Sequence, residues 1–297
     1  MDLKGLETFV WAARLGSFSA AAQRLRTTQP AVSARIAQLE AELGQKLFDR
    51  DKRRPMLTPK GQEALDCAER LIALRDEMLK QLAEPLAFRG VVRLGVAETI
   101  VHTWLSGLVG GLHQLYPQIS LEIEVETSGA LRDGLLAREL DIAFLLGPVS
   151  DPSVRNTPLC SYPLAWVASP ELDMDWSVST PLPEAARRWP IITFGRSTKP
   201  HAAIREMLAR MEGPAPRIHG NASLATIIRM AEDGIGVGAI PLAVIGRQLK
   251  EGTLREAPVT PKLAPLNFTA SYVPGPRAFI AAAIAELAEK TAQTHRQ

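Results

Sequence analysis

Three polar side chains in the stretch FSAAAQRLRTTQPAVSARIAQLE (residues 18–40) are of types that can read nucleic-acid bases: Gln29, Ser33 and Arg35. A glutamine carboxamide pairs bidentately with adenine and a guanidinium with guanine, while a serine hydroxyl bonds a phosphate or a base. All three fall off the apolar face that Val32, Ile36, Leu39 and Leu43 make at helical spacing. A break at residues 27–29 separates this helix from a short alanine-rich one before it. So compact a helix pair either holds a helix against DNA or builds a small helical core, and the flanking elements have to decide between the two.

Before the pair, Leu3, Leu6, Phe9, Val10 and Ala13 mark a first amphipathic helix that Gly16 terminates. Ser17 or Ser19 caps the short helix that follows. Thr27 and Thr28 can close it and cap the next, because a hydroxyl accepts the N–H groups orphaned at a helix start. Pro30 fits the first turn, where its missing donor costs nothing, and Gly44 ends the helix. The segment QKLFDRDKRRPMLTPKG then has a basic tip between Phe48 and Leu57, in the manner of a two-stranded wing. Helix, tight turn, helix and basic wing in that order make a winged helix-turn-helix, whose second helix enters the major groove.

Thr58 and Pro59 open a long helix predicted to run to about residue 88, with Leu65, Ile72, Leu79 and Leu86 spaced by seven and Leu71, Met78 and Leu82 widening the stripe. Sustained over three heptads, that pattern predicts a helix-to-helix dimer seam, burial against its own chain being the alternative. From residue 90 the pattern changes to strands alternating with helices. Strands are expected at VVRLGVA (91–97), LEIEVET (121–127), DIAFLLG (141–147), LAWVAS (164–169), PIITFG (190–195), GVGAIP (236–241) and NFTASYVP (267–274). Such alternation implies a largely parallel sheet covered by helices. The length fits two lobes, with the chain crossing near residue 163 and returning near 267.

Charge separates the two halves. Residues 1–60 hold 11 lysines and arginines against 6 carboxylates, a net of +5, so the remainder carries −3 of the chain's +2. A basic first fifth on a mildly acidic body places any polyanion at the N-terminus. The 297 residues, 46% of them hydrophobic, suffice for about two domains with ordinary cores. No run of about 18 apolar residues spans a bilayer and no signal-peptide core develops, so a cytoplasmic protein without membrane contact is expected. Cys67 and Cys160 lack ligand or framework spacing and read as free thiols, a redox pair being the alternative.

The stretch FVWAARLGSFSAAAQRLRTTQPAVSARIAQLEAELGQKLFDRDKRRPMLTPKG resembles the N-terminal domain of LysR-type transcriptional regulators. The Gly-Ser-Phe-Ser start, the Gln-Pro-Ala-Val-Ser opening of the recognition helix, the Gln-Leu-Glu-Ala-Glu-Leu-Gly exit and the Leu-Phe-Asp-Arg wing strand carry the likeness. The linker helix and two-lobed remainder follow the same layout. The resemblance implies a winged helix-turn-helix at 1–58, a dimerising linker helix at 59–89, and at 90–297 an α/β effector domain like the type 2 periplasmic binding proteins, with lobe I at 90–162 and 268–297 and lobe II at 163–267. It puts the DNA-reading positions at Thr28, Gln29, Pro30, Ser33 and Arg35, with Arg50, Arg53 and Arg54 in or beside the wing. A solvated charge remains the alternative for any one wing arginine. Many relatives have a basic residue at the place of Ala34, so the shift to Arg35 leaves the base it reads open. Promoter DNA, a small-molecule effector and a homodimer, extended to a homotetramer, are the implied partners; RNA polymerase is left open. No cofactor or metal is implied.

In a two-lobed sensor the ligand lies at the carboxyl ends of the strands, where helix N-termini present free N–H groups. The expected rim is Glu98, Thr99, Thr127, Ser128 and Gly147 from lobe I, with Phe194, Arg196, Ser197, Asn221 and Pro241 from lobe II; Thr198 and Ser223 lie beside them. Thr99 and Ser128 stand where the family often presents hydroxyls to an effector, simple helix caps being the alternative. Arg196 and Lys199 suggest a carboxylate partner, whereas Glu98 argues against a simple dianion and leaves room for an amine.

Other classes fit less well. An exported solute-binding protein would share the later fold but has no use for residues 1–60. No GxSxG, HExxH, P-loop or strand-GxGxxG-helix pattern supports an enzyme. The glycines of GIGVGAIP (234–241) favour close backbone approach at a strand over a dinucleotide fingerprint.

Overall fold

A computed structural model of the chain describes residues 2–49, 55–82, 90–209, 215–275 and 278–295, without the side chains of 76, 77 and 79–82. Helix α1 (Leu3–Leu15) starts where the Asp2 carboxylate accepts the Gly5 N–H and stops at Gly16, whose φ of +58° suits a residue without Cβ. Of the two capping serines expected for α2 (Phe18–Arg24), Ser17 takes the role. In α3 (Gln29–Leu43) the Thr28 hydroxyl accepts the Ala31 N–H, Pro30 sits in the first turn, and Gly44 ends the helix at φ +64°. Strands β1 (Phe48–Asp49) and β2 (Met56–Leu57) pair antiparallel as the stem of a wing. Its tip, with Arg50, Arg53 and Arg54, lies outside the described residues.

Phe48 locks the wing stem to the helices by edge contacts with Phe9 and Phe18, at centroid distances of 5.7 and 5.2 Å. Glu40 is buried beneath this stem. Its Oε1 accepts the Leu47 and Phe48 N–H groups at 2.8 and 3.2 Å and its Oε2 meets Lys46. Burial by itself would raise the Glu40 carboxyl, but those two N–H groups and Lys46 together hold it below the ordinary value.

Helix α4 (Pro59–Leu82) corrects part of the expected dimer seam. Leu65 and Ile72 are buried in the core of their own helix-turn-helix, with Leu6, Phe9 and Val10 of α1. The face exposed along α4 carries Leu71 and Met78, both of the expected stripe, together with Leu74, which is 64% exposed. Heptad spacing marks an apolar stripe but does not say which helix it meets. Leu79 has no described side chain, and Leu86 lies outside the described residues.

The remainder forms two lobes. Lobe I begins with β3 (Gly90–Val96), α5 (Glu98–Val101), α6 (Leu105–Leu115), β4 (Ile119–Val125), α7 (Ser128–Leu136), β5 (Ile142–Leu146) and β6 (Arg155–Tyr162). The chain crosses into lobe II at β7 (Leu164–Ala168). There it adds β8 (Thr180–Pro181), α8 (Leu182–Arg188), β9 (Ile191–Phe194), α9 (Lys199–Leu208), β10 (Ile218–Asn221), α10 (Leu224–Glu232), β11 (Val237–Pro241), α11 (Gly246–Glu251), β12 (Arg255–Glu256) and β13 (Val259–Thr260). It returns in β14 (Leu266–Tyr272) and closes with α12 (Ala278–Thr294).

Each lobe has a five-stranded sheet, ordered β4-β3-β5-β14-β6 and β10-β9-β11-β7-β12. Three neighbours in each are parallel, but β14 runs antiparallel to β5 and β6, and β7 antiparallel to β11 and β12. The sheets are therefore mixed, because the strands that carry the chain between lobes enter each sheet reversed. The strand β6, unmarked in the sequence, contains Pro158, which an edge strand tolerates and which dilutes the β pattern. A Cβ at Gly236 would come within 2.1 Å of the Pro190 carbonyl oxygen, the close backbone approach expected of that glycine run.

The helix-turn-helix rests on lobe I. Arg24 pairs with Asp141, and Arg26, in the turn at φ +50°, reaches Glu122 at 3.0 Å, which also takes Arg93 at 3.1 Å. The Arg24 and Arg138 guanidinium groups lie over the Trp11 ring at 4.8 and 5.9 Å. Burial, with Arg14 and Arg24 nearby, pushes Arg138 down to about 10, so it stays a cation at neutral pH.

Candidate functional site

Two regions carry the polar groups singled out in the sequence. The first is the outer surface of α3. At about 100° per residue, Pro30 and Ala34 point away from the buried Val32 and Ile36, Gln29 and Ser33 flank that outward side, and Arg35 stands about 200° from Ser33 on the opposite flank. Thr28, Gln29 and Pro30 are exposed, Ser33 and Arg35 half-buried. Gln29 Nε2 donates to Ser33 Oγ at 3.1 Å. The Thr28 hydroxyl is committed to capping as an acceptor, yet its own proton remains a donor. One helix thus offers an amide, two hydroxyls and a small apolar surface outward, with a guanidinium at its edge.

The second region is a cavity of about 610 Å³ between the lobes. Of the expected rim, Glu98, Thr99, Thr127, Ser128, Phe194, Ser197 and Asn221 line it. Thr99 is buried, at 4% exposure, and its side chain lines the cavity wall. The Thr127 hydroxyl caps α7 by accepting the Ala130 N–H at 3.4 Å, and Ser128 Oγ accepts the Leu146 N–H at 3.0 Å, tying α7 to β5. Thr127 is thus a helix cap whereas Ser128 and Thr99 are not, and the Thr127 and Ser128 hydroxyls, accepting here, each keep a proton to donate.

Three rim residues are placed elsewhere. Gly147 is not in the lining; a Cβ there would come within 2.0 Å of the Thr269 hydroxyl oxygen, so it is a packing glycine. Pro241 is buried in β11 opposite Leu164 and does not reach the cavity. Arg196 is exposed outside the lining, because the turn before α9 carries its side chain away; Lys199, three residues on, lines the wall.

Sequence reasoning left Arg132, Glu126, Leu266 and Phe268 unassigned, and all four line the cavity. Arg132 follows Ser128 by four residues, so helical spacing would have put it on the same side of α7. The lining therefore mixes an apolar wall with the cations Arg132 and Lys199 and the carboxylates Glu98 and Glu126. Glu98 Oε2 accepts the Leu224 N–H at 2.6 Å, and its Oε1 lies 3.4 Å from the Ser223 hydroxyl and 3.6 Å from His102 Nε2. Cys67 is exposed and Cys160 buried, and the two form no disulfide. No helix among the described residues is long and apolar enough to cross a membrane.

Known protein families match the chain over both regions. The family model described as "LysR substrate binding domain" matches residues 87–292, and "Bacterial regulatory helix-turn-helix protein, lysR family" matches residues 3–62. The HTH-type transcriptional regulator GltR of Bacillus subtilis is 28% identical over 88% of this chain and 87% of its own. The regulator YofA of Bacillus velezensis is 29% identical over 82% of each. Among solved structures, a full-length cysteine-to-aspartate variant of OxyR from Pseudomonas aeruginosa (24% identity, TM-score 0.62, 99% of this chain and 95% of that one) shares the fold. So does ArgP from Mycobacterium tuberculosis (21%, 0.62, 98% and 97%).

Proposed function

Because the chain belongs to the LysR family of DNA-binding transcriptional regulators, which are not enzymes, we propose that it binds promoter DNA sequence-specifically through α3 and the wing, and that a small carboxylate-bearing effector in the interlobe cavity alters that binding. The observation that carries this reading is the presence in one chain of an exposed polar face on α3 and a cavity of about 610 Å³ with hydroxyls and cations on its walls.

On this reading residues 1–58 read DNA, 59–89 dimerise and 90–297 sense. Gln29, Pro30 and Ser33 meet base edges, with Thr28 and Arg35 at the flanking backbone. Arg50, Arg53 and Arg54 act in the wing. Phosphate contacts supply affinity and base contacts choice. The exposed stripe Leu71, Leu74 and Met78 of α4 supports a homodimer through the linker helix, since three large apolar residues on one helix face are stabilised by a second copy. Further lobe contacts make a homotetramer in the cytoplasm.

In the cavity, Thr99, Ser128 and Asn221 orient the effector, Phe194 packs on its apolar part, and Lys199 takes the carboxylate in place of Arg196. An effector works only by binding one arrangement of the lobes better than another.

The test is a thermal-shift screen of small carboxylates, followed by calorimetry on the parent and on Thr99→Val, which keeps the shape and deletes the hydroxyl. The hit should bind Thr99→Val about tenfold more weakly or worse, the cost of one buried hydrogen bond. A ligand whose affinity Thr99→Val and Lys199→Ala both leave unchanged places the site elsewhere.

A further inference from the structure

Glu98 belongs to lobe I, where it is the first residue of α5, yet its carboxylate is engaged with lobe II. It accepts the first N–H of α10, that of Leu224, at 2.6 Å, with the Ser223 hydroxyl 3.4 Å from its other oxygen. The distance to Leu224 is that of a charge-assisted bond. The first N–H groups of a helix have no partner within it and lie at the positive end of its dipole, so this is where an anion binds best. Two neighbouring donors are satisfied as well, the Thr226 N–H by Ser223 Oγ and the Ser223 N–H by Asn221 Oδ1. The first N–H of α10 is therefore taken by the protein's own carboxylate, while Lys199 and Arg132 are cations of the same cavity lining.

We propose that Glu98 is a built-in substitute for a ligand anion: it clasps the lobes together and bars an effector's acidic group from the α10 end, leaving the Lys199 wall to receive it. The inference rests on the reading of the cavity as the effector site, and it adds a selectivity rule to that reading. A monoanion fits with its acid turned from α10, whereas a compact dianion spanning the cavity meets the Glu98 charge and must displace it.

The test uses the full chain without effector and follows backbone amide exchange at Leu224, resolved by mass spectrometry with fragmentation. Glu98→Ala should speed exchange at Leu224 by about tenfold or more, with α12 of lobe I and β9 of lobe II unchanged. Glu98→Gln, which keeps an acceptor of the same shape, should fall between the two and serves as the check on folding. Acetate should then restore protection in Glu98→Ala in a saturable manner, an equal concentration of chloride should not, and the parent should be indifferent to acetate. Exchange at Leu224 that is unchanged in Glu98→Ala, or accelerated only together with the rest of both lobes, overturns the clasp. Acetate that fails to protect Glu98→Ala, or protects the parent equally, overturns the exclusion. Because no effector is present, either failure leaves the cavity's role standing, and a misplaced effector site would show instead in the Thr99→Val calorimetry.

Discussion

Gln29 and Ser33 stand one turn apart on α3, and the Gln29 amide donates to the Ser33 hydroxyl at 3.1 Å. The bond holds both groups at the same flank of the helix. An adenine edge offers the carboxamide two bonds in exchange for this one. Gln29→Ala is expected to flatten preference at one base position by about 1–3 kcal/mol, read from binding to a randomised DNA pool. Arg53→Ala, in the wing, should weaken all sequences evenly and lower the salt slope by about 1. Equal base preference in the parent and Gln29→Ala would remove α3 from the groove.

Neighbouring residues of α4 should behave oppositely. Ile72 is 1% exposed within its own helix-turn-helix, whereas Leu74 is 64% exposed. Ile72→Asp should unfold the N-terminal domain, because an unpaired charge in an apolar core costs several kcal/mol. Leu74→Asp with Met78→Asp should leave the circular dichroism unchanged and shift sedimentation from dimer toward monomer. A folded double variant that stays dimeric would move the interface off this helix.

Glu40 makes the wing stem sensitive to acid. Its carboxyl is held below the ordinary value in the folded protein, so the stability it adds is fully present above the unfolded value of about 4.3 and is lost as pH falls through the folded one. Glu40→Gln should cost about 1–3 kcal/mol at pH 7. Denaturant melts should show that difference holding down to about pH 5 and narrowing below about pH 4. A difference that stays constant into acid would mean that the Glu40 charge adds nothing.

Lys199 and Arg196 separate the cavity from its surroundings. Lys199→Ala should weaken a carboxylate effector by about tenfold, the scale of a charge-assisted bond in a partly open site, and Arg196→Ala by much less. Titration calorimetry of the two variants decides, and the reverse ranking would restore Arg196 as the anion partner.

Much of this was legible in the sequence where a local rule acts alone. Thr28, Pro30 and Gly44 fix the ends of α3 by capping chemistry, and the spacing of Val32, Ile36 and Leu39 fixes its buried face. Seven of the ten rim residues expected from strand ends do line the cavity, since helix N-termini come next in the chain. Tertiary geometry hid the rest. Leu65 and Ile72 show a stripe whose partner only packing names. Whether Arg196 or Lys199 faces the ligand depends on one turn before α9, and the link from Glu98 to Leu224 joins residues 126 positions apart. Pro158 obscured β6 by weakening its β pattern.

If α3 reads a DNA sequence and a cavity ligand changes how it does so, both effects are visible in the DNA that the protein selects. The most direct test is to sequence the fragments that the purified protein retains from a random duplex pool, with and without a metabolite found by thermal shift. One enriched site with two-fold symmetry is expected, with half-sites about one helical turn or a multiple apart, a spacing or occupancy that changes with the metabolite, and no selection by Gln29→Ala. Retained DNA of no common sequence, or the same enrichment with Gln29→Ala, would contradict that expectation.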